Sequence, residues 1–172
     1  MADDHASASA AARFLIQSTF GPNATEIATV QALGYDGWID NQFTMPVSGH
    51  LTNVLAKPGS DPTFPYSENS TFNTWWQQAI NAPDQLRQRV AFALSEILVV
   101  SASGVLQDNA FALSSYYDTL LQHSFGNFRE LLEAVTLHPA MGLYLDMRRN
   151  DKGSITAGTH PNENYAREIL QL

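Results

Sequence analysis

Apolar side chains recur along this chain at three- and four-residue intervals, the spacing of an amphipathic helix, and no stretch alternates long enough to make a strand. A first helix is predicted over residues 10–20, with Ala11, Phe14, Leu15 and Ser18 along one stripe and Gly21-Pro22 as its stop. Asn23 caps a second helix that Gly34 ends, and residues 35–43 form a third, anchored by Trp38, Ile39 and Phe43. Helix resumes near Thr71 with Phe72, Trp75, Trp76 and Ile80. Pro83 opens the next as a first-turn proline. That helix, over residues 84–100, is expected to bury Leu86, Val90, Ala93, Leu94, Ile97 and Leu98. Three more follow over residues 109–123, 127–138 and 139–145, the last begun by Pro139, and a polar loop over 148–159 leads to a final helix. The fold class is all-α, an irregular multi-helix bundle with one long Pro/Gly-rich loop.

That loop covers residues 44–70, where Pro46, Pro58, Pro62 and Pro65 with Gly49 and Gly59 leave no sustained period. It is expected at the surface. Carrying His50, Phe64 and Tyr66, it is either a lid or binding loop or a variable insertion.

The 172 residues fit one domain, and 44% hydrophobic content is enough for a sizeable core. Nine basic against seventeen acidic side chains give a net charge of −8, without the basic footprint of a phosphate-backbone binder. Nucleic acid is therefore not expected as a partner. The absence of cysteine removes disulfides, zinc-thiolate sites and cysteine nucleophiles. No apolar run is long enough for a transmembrane segment, and residues 1–12 lack the basic start and apolar core of a signal peptide. Nucleotide-binding glycine motifs, a serine nucleophile elbow and a His-Glu-x-x-His zinc motif are absent too.

Two groups of residues carry candidate chemistry. On the helix over 84–100, Arg89 and Glu96 lie within about 20° of each other around the axis, at the edge of the apolar stripe, and are expected to be partly buried. They either fix helix packing through ion pairs or line a wet cleft. In the last helix Glu163 and Arg167 have the spacing and order of a helical ion pair, with Asn164 and Glu168 on the next strip. Placed in the first turn, Glu163 is expected to stay ionised, as suits a base or cation ligand, or simply to stabilise its own helix. Asn162 is expected on the buried side with Ala166 and Ile169. His160, three residues before Glu163, is a two-ligand metal pattern or a cap. Asp146 and Asn150 could add oxygen ligands to a hard cation. No particular metal or cofactor follows from these residues, so the cofactor is unknown at this level. The final helix has neither a Gly nor an Asn cap nor a basic last turn, which predicts that the chain is the front part of a larger domain.

Four blocks, AARFLIQSTFGP (11–22), LRQRVAFALSEILVVS (86–101), HPAMGLYLD (138–146) and PNENYAREILQL (161–172), together resemble the bacterial family designated domain of unknown function 1800. Members of that family are longer, so the resemblance covers the N-terminal part of such a domain and implies a missing C-terminal partner segment. It further implies a bacterial exported protein, periplasmic or extracellular. In the family the last block is a signature, matched here by Asn162, Glu163, Asn164, Arg167 and Glu168.

Two functions fit these readings. One is a hydrolase or lyase acting on an extracellular polymer or small polar substrate, with Glu163, Arg167, Glu168 and Glu96 as catalytic candidates and Asn162, Asn164, Arg89 and His160 as binding candidates. The other is a non-catalytic helical module that binds a partner protein or a carbohydrate through Trp75, Trp76 and loop aromatics, its charged block being structural. An enzyme should gather Arg89, Glu96, Asn162, Glu163 and Arg167 around one pocket, and a module should hold them in satisfied pairs.

Overall fold

The computed structural model describes residues 6–57 and 66–171 and is predominantly helical. Pro58, Gly59, Pro62, Phe64 and Pro65, expected in the long loop, lie outside the described residues. In order, the helices are α1 (Ala8–Ser18), α2 (Ala24–Thr44), α3 (His50–Ala56), α4 (Glu68–Asn81), α5 (Gln85–Ile97), α6 (Ala110–His123), α7 (Phe128–Leu137), α8 (Pro139–Tyr144) and α9 (Asn164–Gln171), with one 3-10 turn at Gly104–Leu106. The all-α expectation holds: among the described residues the only extended pairing is one bridge between Ser154 and Thr159.

Helix ends follow local chemistry. Asn23 Oδ1 accepts from the Glu26 amide at 2.9 Å and Asn127 Oδ1 from Arg129 at 2.8 Å, each satisfying a first-turn N–H that the helix leaves open. Gly34 interrupts α2 with φ 73° and ψ 175°, so the stretches on either side are two helices joined at a left-handed residue. Pro83, expected inside a first turn, stands just ahead of the cap: Asp84 is the N-cap and α5 begins at Gln85.

Two apolar cores result. Ala11 and Leu15 of α1 pack on Val30 and Trp38 of α2. The larger core gathers Ala91 and Leu98 of the α5 region, Leu113, Tyr116, Leu120 and Leu121 of α6, Leu131 and Val135 of α7, and Met141 of α8. The hub is α6, which touches α3, α4, α5, α7 and α8.

Two expectations are corrected. Within the anticipated surface loop, residues 50–56 form α3, and its first residue, His50, is fully buried. Asp118 of α6 makes this possible, its carboxylate accepting from the His50 and Leu51 amides at 2.6 and 3.1 Å and so capping α3 from outside. The buried strip of α5 is also displaced. Arg87, Gln88 and Ala91 are buried, whereas Ile97 is 52% exposed and Ala93 is exposed as well.

Candidate functional site

The displaced strip of α5 makes a polar interior. Asp84, with no exposed surface, accepts from the Ser48 amide at 3.0 Å, and its Oδ2 stands 3.9 Å from Arg87 Nε. Arg87 donates to the Leu121 carbonyl at 3.2 Å and lies 4.5 Å over the Phe125 ring. Gln88 donates to the Ser48 carbonyl at 3.0 Å, and its Oε1 lies 3.2 Å from His50 Nε2. Gln42 closes the set, donating to the Pro83 carbonyl at 3.1 Å and accepting from the Leu86 amide at 3.0 Å. Charges and amides this deep cost several kcal/mol each unless partnered, so α2, α3, α5 and α6 are held in register by them.

Beside this network opens a cavity of about 620 Å³ between α4, α5, α6 and the segment that follows α5. Its wall is aromatic. Trp76, 62% exposed, meets Trp75 edge-on at 5.0 Å, and Trp75 in turn contacts Phe20 and Phe92 at 5.2 and 5.6 Å. Trp75 Nε1 donates to the Tyr117 hydroxyl oxygen at 2.9 Å, and the Tyr117 ring lies 4.5 Å from that of His50. Burial pushes the Tyr117 phenol up to about 12 despite the Trp75 hydrogen bond that opposes it, with Glu96 adding to the rise. Polar groups line the cavity as well, among them Glu96, Ser95, Ser101 and Ser103. The Ser95 hydroxyl donates to the Phe92 carbonyl at 2.7 Å, which leaves its oxygen free to accept. Burial lowers the pKa of His50, outweighing the Gln88 hydrogen bond and the Asp118 and Asp84 charges that favour its cation.

The candidates from the sequence do not converge. Glu96 lines the aromatic cavity, and Arg89 stacks over Phe20 and Phe92 at 5.4 and 5.6 Å. Glu96 is exposed rather than partly buried. Glu163 and Arg167 form an ion pair with side chains 69% and 59% exposed. Glu163 precedes α9 rather than sitting in its first turn, and its carbonyl accepts from the Arg167 amide at 2.9 Å. Asn162 and Ala166, expected on a buried side, are both exposed, and Asn162 works as a cap: its Oδ1 accepts from the Asn164 amide at 2.8 Å and its Nδ2 donates to Asp146 at 3.3 Å. Asn150 clasps the Asn162 backbone through two bonds of 2.7 Å. Glu168 lines a separate cavity of about 150 Å³ with Tyr165 and Ile169. Asn164 and His160 are exposed. Among the described residues no group of three or more His, Asp and Glu side chains is arranged to hold a metal ion.

Sequence reasoning missed Asp84, Gln88 and Tyr117 as site-forming residues and placed His50 at the surface. The available signal was the run Asp84-Gln85-Leu86-Arg87-Gln88, whose polar residues recur at helical spacing on a helix the core needs.

No curated protein and no solved structure gives a significant match to this chain. The sequence profile of one family, described as protein of unknown function (DUF1800), matches residues 13–172. With nearly its whole length matched, the chain belongs to the DUF1800 family.

Proposed function

We propose that this helical domain is a binding module that takes a carbohydrate in the aromatic cavity. The carrying observation is the pairing of Trp76 and Trp75, one open to solvent and one packed behind it, in a space of about 620 Å³ that Glu96 and three serines also line. A sugar ring has an apolar face of C–H groups that stacks on indole and a rim of hydroxyls that needs donors and acceptors. An extracellular polysaccharide fits the exported location that the family resemblance implies. The hydrolase or lyase reading has weaker support, because Glu96 is the one carboxylate among the cavity's lining residues while Glu163, Arg167 and Glu168 stand elsewhere.

Titration with cellopentaose, chitopentaose and maltopentaose, followed by tryptophan fluorescence and calorimetry, tests the reading. At least one should bind, and Trp76→Ala should weaken it about tenfold or more without lowering Tm. Binding to none of the three, or full binding by Trp76→Ala, would remove the proposal.

A further inference from the structure

The wall of the aromatic cavity carries one formal charge that no neighbouring cation balances. Glu96 is the one acidic side chain among the lining residues, and no lysine or arginine stands with it there. The other titratable groups on the wall are His50, Tyr116 and Tyr117, and burial favours the neutral form of each. Glu96 is exposed, and the ion pairs among the described residues, Asp84 with Arg87 and Glu163 with Arg167, leave it out. Arg89 stands two turns earlier on the same helix, about 10 Å along its axis, with its guanidinium stacked on the Phe20 and Phe92 rings.

The carboxylate sits among rings that a ligand can reach. Glu96 and Phe92 lie one turn apart on α5, as Trp76 and Phe72 do on α4. The two helices meet where the Trp75 and Phe92 rings approach to 5.6 Å, and all five of these side chains line the cavity. Phe72 and Trp76 are 49% and 62% exposed, so two ring faces and the carboxylate are open to solvent together. Burial is the main cause of the raised Tyr117 pKa and Glu96 adds to it, so the field of the carboxylate reaches α6 as well. Aromatic faces are themselves regions of negative potential, and a cleft with one sign of charge between apolar walls focuses that field. The potential in this space is therefore negative. A hydroxyl can donate to Glu96, but an ammonium group does so with coulombic attraction and a cation–π contact in addition.

We propose that the cavity sorts sugars by charge and takes an amino sugar with a free ammonium group, which Glu96 pairs with beside the faces of Trp76 and Phe72. This assignment rests on the carbohydrate reading of the cavity and names the class of sugar. A sugar with a hydroxyl or an N-acetyl group at the same position loses the charge interaction. A uronic acid is repelled by Glu96 and by the ring faces.

The test uses ligands matched in everything but the group at C2. Cellopentaose, N-acetylated chitopentaose and its de-N-acetylated counterpart share one β-1,4 backbone and carry a hydroxyl, an N-acetyl and, at pH 6, an ammonium group there. In calorimetry at low salt the wild type should bind the amine pentamer about 3- to 30-fold more tightly than cellopentaose, the span of an exposed ion pair and a cation–π contact together. Glu96→Gln should bring the ratio of the two affinities close to one, whatever it does to either alone. Raising NaCl to 0.5 M should shrink the same ratio in wild-type protein, which reads the preference without a substitution. Because the chain carries a net charge of −8, pentalysine and Trp76→Ala serve as controls for an oligocation held by the acidic surface. If pentalysine binds as tightly as the amine pentamer, or amine binding survives Trp76→Ala, the cation is not held in the cavity and the inference is wrong. If the neutral sugars bind through Trp76 and the amine gains nothing over them, or its gain persists in Glu96→Gln, charge sorting is wrong while the cavity reading stands. If cellopentaose, chitopentaose and maltopentaose all fail to bind, both fall together.

Discussion

Trp75 Nε1 donates to the hydroxyl oxygen of Tyr117 across 2.9 Å, joining α4 to α6 on one wall of the cavity. This bond closes a chain of contacts that runs from exposed Trp76 through Trp75 and Tyr117 to buried His50. Substituting Trp75→Phe should cost stability by the bond and by lost indole surface, about 1–3 kcal/mol. Tyr117→Phe should cost less, about 0.5–1.5 kcal/mol, and the double variant should fall short of the sum. Urea unfolding of the four proteins measures this, and additive losses would show that the bond contributes nothing.

Asp84 is the anion on which the polar interior turns. Asp84→Ala should destabilise by about 3–5 kcal/mol, because it strands the guanidinium of Arg87 and frees the Ser48 amide in a dry setting. Asp84→Asn should recover part of the loss by keeping an acceptor for Ser48. A cost under about 1 kcal/mol for the alanine variant in chemical denaturation would mean that water reaches the network.

The acid side of the stability profile should carry the mark of two histidines. Burial lowers the pKa of both His50 and His138 from the ordinary value of 6.5, with the Gln88 bond, Asp118 and Asp84 opposing it at His50 and the Ser115 backbone opposing it at His138. Below pH 6.5 the unfolded chain takes up protons that the folded protein refuses, so stability drops as pH falls toward the folded-state values and levels off beyond them. Above pH 6.5 neither form is protonated and the contribution is flat. Tm measured from pH 8 to pH 5 should fall in this window, and His50→Gln should flatten part of the slope. A rise in Tm on acidification through the window would reverse the assignment.

Removing the Glu163–Arg167 pair should have little effect on folding. Both side chains are mostly in solvent, where such pairs contribute about 0–1 kcal/mol. Glu163→Gln and Arg167→Ala should each shift Tm by no more than about 2–4 °C. By contrast, Tyr165→Phe removes the hydroxyl that bonds to Thr136 and ties α9 to α7, and it should exceed either. Early unfolding of Glu163→Gln and Arg167→Ala, to a greater extent than Tyr165→Phe, would make the charged block structural after all.

Local chemistry made the helix borders legible, since Asn23, Asn127, Gly34 and Pro139 each act within one turn of where they stand. Interactions between distant segments were not legible. His50 is buried because a carboxylate 68 residues later caps its helix, and nothing around His50 announces Asp118. On α5 the apolar stripe pointed to Ile97 and Ala93, yet the strip that faces the centre carries Arg87 and Gln88. Their partners are the Leu121 and Ser48 carbonyls, and a backbone carbonyl has no signature in side-chain periodicity. The charged block was conspicuous for the opposite reason: Glu163 and Arg167 pair locally at the spacing a sequence displays best.

Helix α3 is seven residues long and follows Gly49, which has no side chain to cap it; its first two amide groups depend on Asp118. A segment that short does not hold a helical shape alone in water. Its helical shape is therefore a product of tertiary contact, held by a carboxylate that α6 supplies. The cavity wall that His50 lines is thus made jointly by segments 68 residues apart, and a change at Asp118 would be felt there without touching the wall itself.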